Sequence, residues 1–148
     1  MKIRLNVRSE VYDPLAAELA AHGIELSYDA QLMLSEVNQY PDYLSGKLGG
    51  ESYHIAVSKV VWIESLGHDV IIHAECDAYK TADRLWQLEK SLDPKQFLRI
   101  SNSVIVARGE IQKIRASLSS KFVLTLTDGA EVTVTRSYYQ MFKAQLGI

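Results

Sequence analysis

The run KQFLRISNSVIVARGEIQKIRASLSSKFVLTLTDGAEVTVTR, Lys95 to Arg136, alternates apolar and polar residues in short stretches separated by turn signals. Successive side chains of a strand point to opposite faces, so this pattern suits half-buried sheet. FLRIS, VIVA, IQKIRASL, KFVLTLT and AEVTVT are the predicted strands. Ser119 and Ser120 turn the chain between IQKIRASL and KFVLTLT, and Asp128-Gly129 is a hairpin signal before the last strand. Asn102 and Arg136 stand beside turns, where a long polar side chain can leave the sheet and reach something outside it.

The rest of the chain alternates strand and helix signals. KIRLNV reads as a strand, and DPLAAELAAHG as a helix with Asp13 as N-cap, Pro14 at its first position and Gly23 after its end. IELSY reads as a returning strand, which completes a small α+β unit with little to bury alone. Leu32 to Tyr43 carries no clear pattern, and Pro41 breaks it, so the predicted boundary separates residues 1–42 from 43–148. YLSGKL and ESYHIAV flank Gly49-Gly50 as a hairpin, while KVVWIES and DVIIHAE flank a turn at Leu66, Gly67 and His68. TADRLWQLEKSL has helical spacing, with Leu85, Leu88 and Leu92 on one face and Thr81 or Asp83 as cap. SYYQMFKAQLG closes the chain as a helix, Ser137 and Gln140 having capping-box spacing. Trp62, Trp86, Phe97, Phe122 and Phe142 are the expected aromatic core, and His73, inside an apolar strand, is expected to pack.

With 148 residues and 47% hydrophobic content, the chain fits one domain carrying a small extension. Cys76 is the single cysteine, so no internal disulfide forms, and no Cys/His cluster has zinc spacing. No metal or cofactor is implied. The N-terminus lacks the apolar run of a signal peptide, and no stretch suggests a membrane span; a soluble cytoplasmic protein is expected. The net charge of −2 argues against phosphate binding until its distribution is considered. Residues 1–42 hold three basic and seven acidic residues, whereas residues 95–148 hold eight basic and three acidic ones. The basic pole is C-terminal.

VVWIESLGHDVIIHA, ADRLWQLEKSL, FLRISNSVIV and IQKIRASLSSKFVLTLTDGAEVTVTRSYYQMF, in that order and spacing, resemble the LytTR-type DNA-binding domain of bacterial transcriptional regulators, over about Tyr43 to Ile148. The resemblance implies a mainly β fold: an elongated sandwich of small antiparallel sheets with two short helices, here preceded by the small α+β extension. It also implies that loops, not a recognition helix, enter successive major grooves of double-stranded DNA. Carried over by position, the base-reading residues fall on His68, with Asp69 the weaker candidate because a carboxylate repels phosphate, on Asn102 and on Arg136. Arg can bridge guanine O6 and N7, Asn can pair with adenine, and His can donate to or accept from a base edge. Ser101, Ser103, Thr135, Ser137 and Tyr139 are the candidate phosphate contacts beside them, Ser137 also offering helix-terminal N–H groups. Family members commonly carry a basic residue where this chain has Asn102 or Ser137, a difference that bears on phosphate grip and base preference.

The first 42 residues do not match the phosphorylated receiver domain that several family members attach, so phosphorylation in cis is not expected. Their expected role is pairing, giving a homodimer on repeated half-sites. The alternative is a protein-interaction module or antagonist that pairs with another regulator. Plainer readings stand beside each site residue: His68 as a solvated turn residue, Asn102 as a turn stabiliser through its own backbone, Arg136 in a surface ion pair. Ser103, His73 and Asp69 can be assembled into a triad on paper, but no nucleophile elbow accompanies them, and an enzyme is not expected.

Overall fold

The computed structural model describes residues 1–36, 40–75 and 77–148. Cys76, and with it the reading of an unpaired thiol, lies outside the described residues. The chain divides into two compact units, Met1–Gln39 and Tyr40–Ile148.

The first unit runs β1 (Lys2–Asn6), α1 (Ser9–Ala21), β2 (Glu25–Leu26) and β3 (Leu32–Ser35). Its sheet has the order β2-β1-β3 with every pairing parallel. The helix starts before the predicted Asp13: its N-cap is Arg8, and Pro14 lies inside it. The Arg8 carbonyl accepts the N–H groups of Val11 and Tyr12 at 3.1 Å, and the Arg8 guanidinium pairs with Glu36 at 2.9 Å. Pro14, six residues into the helix, removes one intrahelical donor there without ending it. β3 falls where the sequence offered no reading, because LMLS does not alternate and all four residues are exposed. Among the described residues of this unit only Ile3 is buried.

The second unit contains β4 (Tyr43–Leu48), β5 (Glu51–Ala56), β6 (Val60–Leu66), β7 (Asp69–Ala74), β8 (Asp77–Thr81), α2 (Leu85–Ser91), β9 (Phe97–Arg99), β10 (Val104–Ala107), β11 (Ile111–Ser117), β12 (Lys121–Leu126), β13 (Glu131–Val134) and α3 (Tyr139–Leu146). Its strands form a seven-stranded sheet, β5-β4-β8-β7-β6-β10-β9, and a three-stranded sheet, β11-β12-β13, both antiparallel. The expected mainly β sandwich with two short helices is therefore present. Gly49 and Gly50, at φ +60° and +80°, make the tight β4–β5 turn that only glycine takes without strain.

Strand alternation divides the core into two layers. Ile63, Val70, Ile72, Phe97 and Ile105 meet Leu85, Leu88 and Leu92 of the α2 segment in one cluster. From the opposite face of the large sheet, Val61, Leu98 and Val106 meet Phe122, Leu124, Val132 and Val134 of the small sheet and Phe142 of α3. The large sheet is thus buried on both faces over β6, β9 and β10, which gives rigid support to the turns at its ends.

Four local expectations are corrected. β8 was not anticipated, because DAYKT buries only Thr81. The N-cap of α2 is Arg84, since Thr81 ends β8 and its hydroxyl accepts the Asp83 N–H. Trp86 is 57% exposed, not core; it follows Leu85 by one residue and so points about 100° away from the buried face, beneath Lys90 at 5.7 Å. Ser137 does not cap the last helix: a single 3-10 turn, Arg136–Tyr138, precedes α3, and Tyr138 is the N-cap.

Candidate nucleic-acid interface

Antiparallel register brings three turns to one end of the second unit. The β6–β7 turn holds Gly67 and His68, with Gly67 at φ +61°. The β9–β10 turn, Ile100 to Ser103, lies beside it, since Val104 pairs with Glu64 and the Ser65 N–H donates to the Ser103 carbonyl at 2.8 Å. The β13–α3 junction joins the same cluster, because the Thr135 N–H donates to the Ile100 carbonyl at 3.0 Å. His68, Asn102 and Arg136 are all exposed there. Residues separated by 68 positions in sequence thus share one end of a rigid sheet.

The side chains of these residues differ in what already occupies them. Among the described residues, the Arg136 guanidinium and the His68 imidazole make no hydrogen bond or ion pair, which leaves their donors and acceptors open. Asn102 Oδ1 accepts a hydrogen bond from the Tyr138 hydroxyl at 3.3 Å. The turn itself is stabilised by its neighbour: Ser101 is buried, and its Oγ accepts the Ser103 N–H at 3.2 Å. Asp69 pairs with Lys80 at 2.9 Å, which offsets the carboxylate charge beside the turn. Ser103 and Ser137 are exposed, Thr135 is half-buried, and the Tyr139 ring stacks on Phe122 at 4.7 Å.

His73 packs as anticipated, stacked on Trp62 at 4.0 Å with its Nε2 2.8 Å from Glu64. It lies away from the turns, as does Tyr79 on β8, whose phenol is raised above its ordinary value by desolvation and then by Asp77. Among the described residues no cluster of three His, Cys, Asp or Glu side chains could hold a metal ion, and no helix is long and apolar enough to cross a membrane.

Sequence reasoning missed Tyr138, Arg84 and Arg99. Arg84 Nη1 donates to the His68 carbonyl at 3.1 Å, and Arg99 donates to the Ser101 and Asn102 carbonyls, each at 2.7 Å. Arg99 stands inside FLRIS, where alternation marks it only as facing away from the core; its partners become adjacent through the β9–β10 turn. The outer face of the small sheet is a further cationic surface. Lys113, Arg115 and Lys121 are exposed there, and the β11–β12 tip comes level with Thr135 because Phe122 pairs with Val134.

The second unit belongs to the mainly β class, two antiparallel sheets with two short helices, and His68, Asn102 and Arg136 stand exposed at its clustered turns. Within that class the chain belongs to the LytTr DNA-binding domain family, whose model matches residues 50–147. It is 32% identical over 77 residues to the transcriptional regulatory protein LytR of Staphylococcus aureus, a match covering 52% of this chain and 31% of that protein. To the sensory transduction protein LytT of Enterococcus faecalis it is 28% identical over 96 residues, covering 65% of this chain and 40% of that one. The chain therefore spans less than half the length of either relative. A solved LytTr DNA-binding domain from Bacillus cereus superposes with a TM-score of 0.71 at 26% identity, covering 73% of this chain and 99% of the other.

Proposed function

We propose that the protein is a sequence-specific DNA-binding transcriptional regulator of the bacterial cytoplasm that reads the major groove through its turns. The observation that carries this reading is the cluster of exposed His68, Asn102 and Arg136 at one end of the sheet, with the Arg136 guanidinium unpaired among the described residues. Arg136 suits guanine O6 and N7, Asn102 suits adenine, and His68 can take either hydrogen-bonding sense. Ser103, Thr135 and Ser137 supply hydroxyls for phosphate oxygens, with Lys121 as a cation beside them. Ser101 and Tyr139 serve the same surface from beneath, one by shaping the turn and the other by seating the start of α3. Asp69, paired with Lys80, lies next to His68 without adding a bare negative charge.

A homodimer on repeated half-sites fits this reading, because one module of this size contacts few base pairs and pairing raises effective concentration. The edge strand β3, with Leu32, Met33 and Leu34 exposed, supports pairing through the first unit. The same edge supports the second reading, pairing with a different regulator.

Selection of bound duplexes from a random pool at two salt concentrations tests the proposal. The intact protein is expected to enrich a repeated motif that an Asn102→Ala, Arg136→Ala double variant fails to recover. No enrichment at either salt would overturn the DNA reading and favour the protein-partner one.

A further inference from the structure

We propose that the α2 segment is a brace that fixes the positions of two of the reading turns, with Arg99 the positioning residue for Asn102 and Arg84 the positioning residue for His68. The inference rests on the DNA-reading role of those turns. It is carried by a chain of hydrogen bonds that ends on α2 from two directions.

Arg99 is the centre of the first connection. Its side chain is only 14% exposed, and all three guanidinium nitrogens are engaged: Nε donates to the Ser101 carbonyl at 2.7 Å, Nη2 to the Asn102 carbonyl at 2.7 Å, and Nη1 to Glu89 Oε2 at 2.5 Å. Two carbonyls of the β9–β10 turn are therefore held by one planar fork, and Glu89 on α2 holds the fork in turn. Arg84, the residue just ahead of α2, makes the second connection through its 3.1 Å hydrogen bond to the His68 carbonyl. Its own backbone is fixed, since its N–H donates to Gln87 Oε1 at 2.7 Å. Leu85 and Leu88 bury α2 against the large sheet, so both connections end on an element anchored in the core.

Arg99 directs two donors at turn carbonyls and the third at Glu89, and Arg84, itself exposed, directs one donor at the His68 carbonyl. Base-edge recognition needs donor and acceptor placed to within about half an ångström, whereas attraction to phosphate tolerates much looser geometry. A brace of this kind therefore acts on discrimination between sequences and not on general attraction to DNA. Lysine keeps the charge of arginine but cannot span two carbonyls and a carboxylate from one planar group.

The test uses the full chain with Arg99→Lys, Glu89→Gln and Arg84→Met, each assayed on the selected motif, on single-base variants of it and on unrelated duplex. Arg99→Lys and Glu89→Gln are expected to lose about tenfold in discrimination at the position read by Asn102, and Arg84→Met, which removes the donor to the His68 carbonyl, at the position read by His68. Affinity for unrelated duplex and its salt slope should stay as in the unsubstituted protein for Arg99→Lys, which keeps the charge. Backbone 15N relaxation and amide exchange of residues 101–103 in the DNA-free protein form a second readout, in which Glu89→Gln should loosen the turn while the core amides stay protected. Folded variants with unchanged discrimination and an unchanged turn would overturn the brace. If the unsubstituted protein showed no sequence preference, the DNA reading itself would fall, and the relaxation measurement alone would still decide whether α2 holds the turns.

Discussion

The two units bury their apolar residues on very different scales. In Met1–Gln39 a parallel three-stranded sheet and one helix leave Ile3 as the single buried residue among those described, while Leu32, Met33 and Leu34 stay 40–57% exposed. In Tyr40–Ile148 two clusters fill both faces of the large sheet, with Ile63, Ile72, Leu124 and Phe142 wholly removed from solvent. Hydrophobic stabilisation scales with the area removed from water, so the second unit can fix turns rigidly, whereas the first has apolar surface left over for a partner. The proposed division, recognition in the second unit and association through the first, is drawn from this difference.

The largest expected effect breaks the well-packed side. Phe142→Ala removes a ring that meets Phe122 at 5.5 Å, and it should destabilise the second unit by about 3–5 kcal/mol in urea unfolding. A loss below about 1 kcal/mol would mean that the α3 layer contributes little to the core. Next in size is Arg136→Ala, expected to cost roughly 1–3 kcal/mol of specific binding at one base position in a titration against single-base variants. A uniform loss across all sequences would make Arg136 a phosphate contact instead.

On the sparse side, Leu32→Lys with Leu34→Lys should leave monomer stability within about 1 kcal/mol but abolish pairing in sedimentation. An unchanged dimer would move association away from β3. Smallest of all, Lys121→Ala should lower the salt slope of binding by about one with no change of motif, its stability staying within roughly 0.5 kcal/mol.

What could be read in the sequence follows from the range of the interactions involved. The hairpins at Gly49-Gly50 and Asp128-Gly129, the Leu85/Leu88/Leu92 face and the order of the late strands are local patterns, and all are present in the structure. β8 escaped notice because an inner strand bordered by β7 and β4 needs no alternation of its own when it buries just one residue. The start of α1 was misplaced because Pro14 marks a first turn by preference, whereas the helix begins at Ser9 with Arg8 as N-cap and carries Pro14 inside it. Asn102 and Arg136 drew attention as polar residues beside turns. Arg84 and Tyr138 did not, since each acquires its partner only when separate turns meet, and no spacing in a linear chain records that meeting. Arg99 did not because alternation records the face of a strand residue and not that its side chain folds back on carbonyls two and three residues ahead.

The two tryptophans of the chain stand in opposite environments, and this gives the molecule its own optical reporters. Trp86, largely in water on α2, should emit at long wavelength and respond to any tilt of that helix, whereas Trp62, lying flat on His73 and donating to Asp128 at 3.0 Å, senses the seam between the sheets. Fluorescence from a Trp62→Phe variant would thus follow α2 during DNA binding, and from a Trp86→Phe variant the integrity of the sandwich, with no label attached.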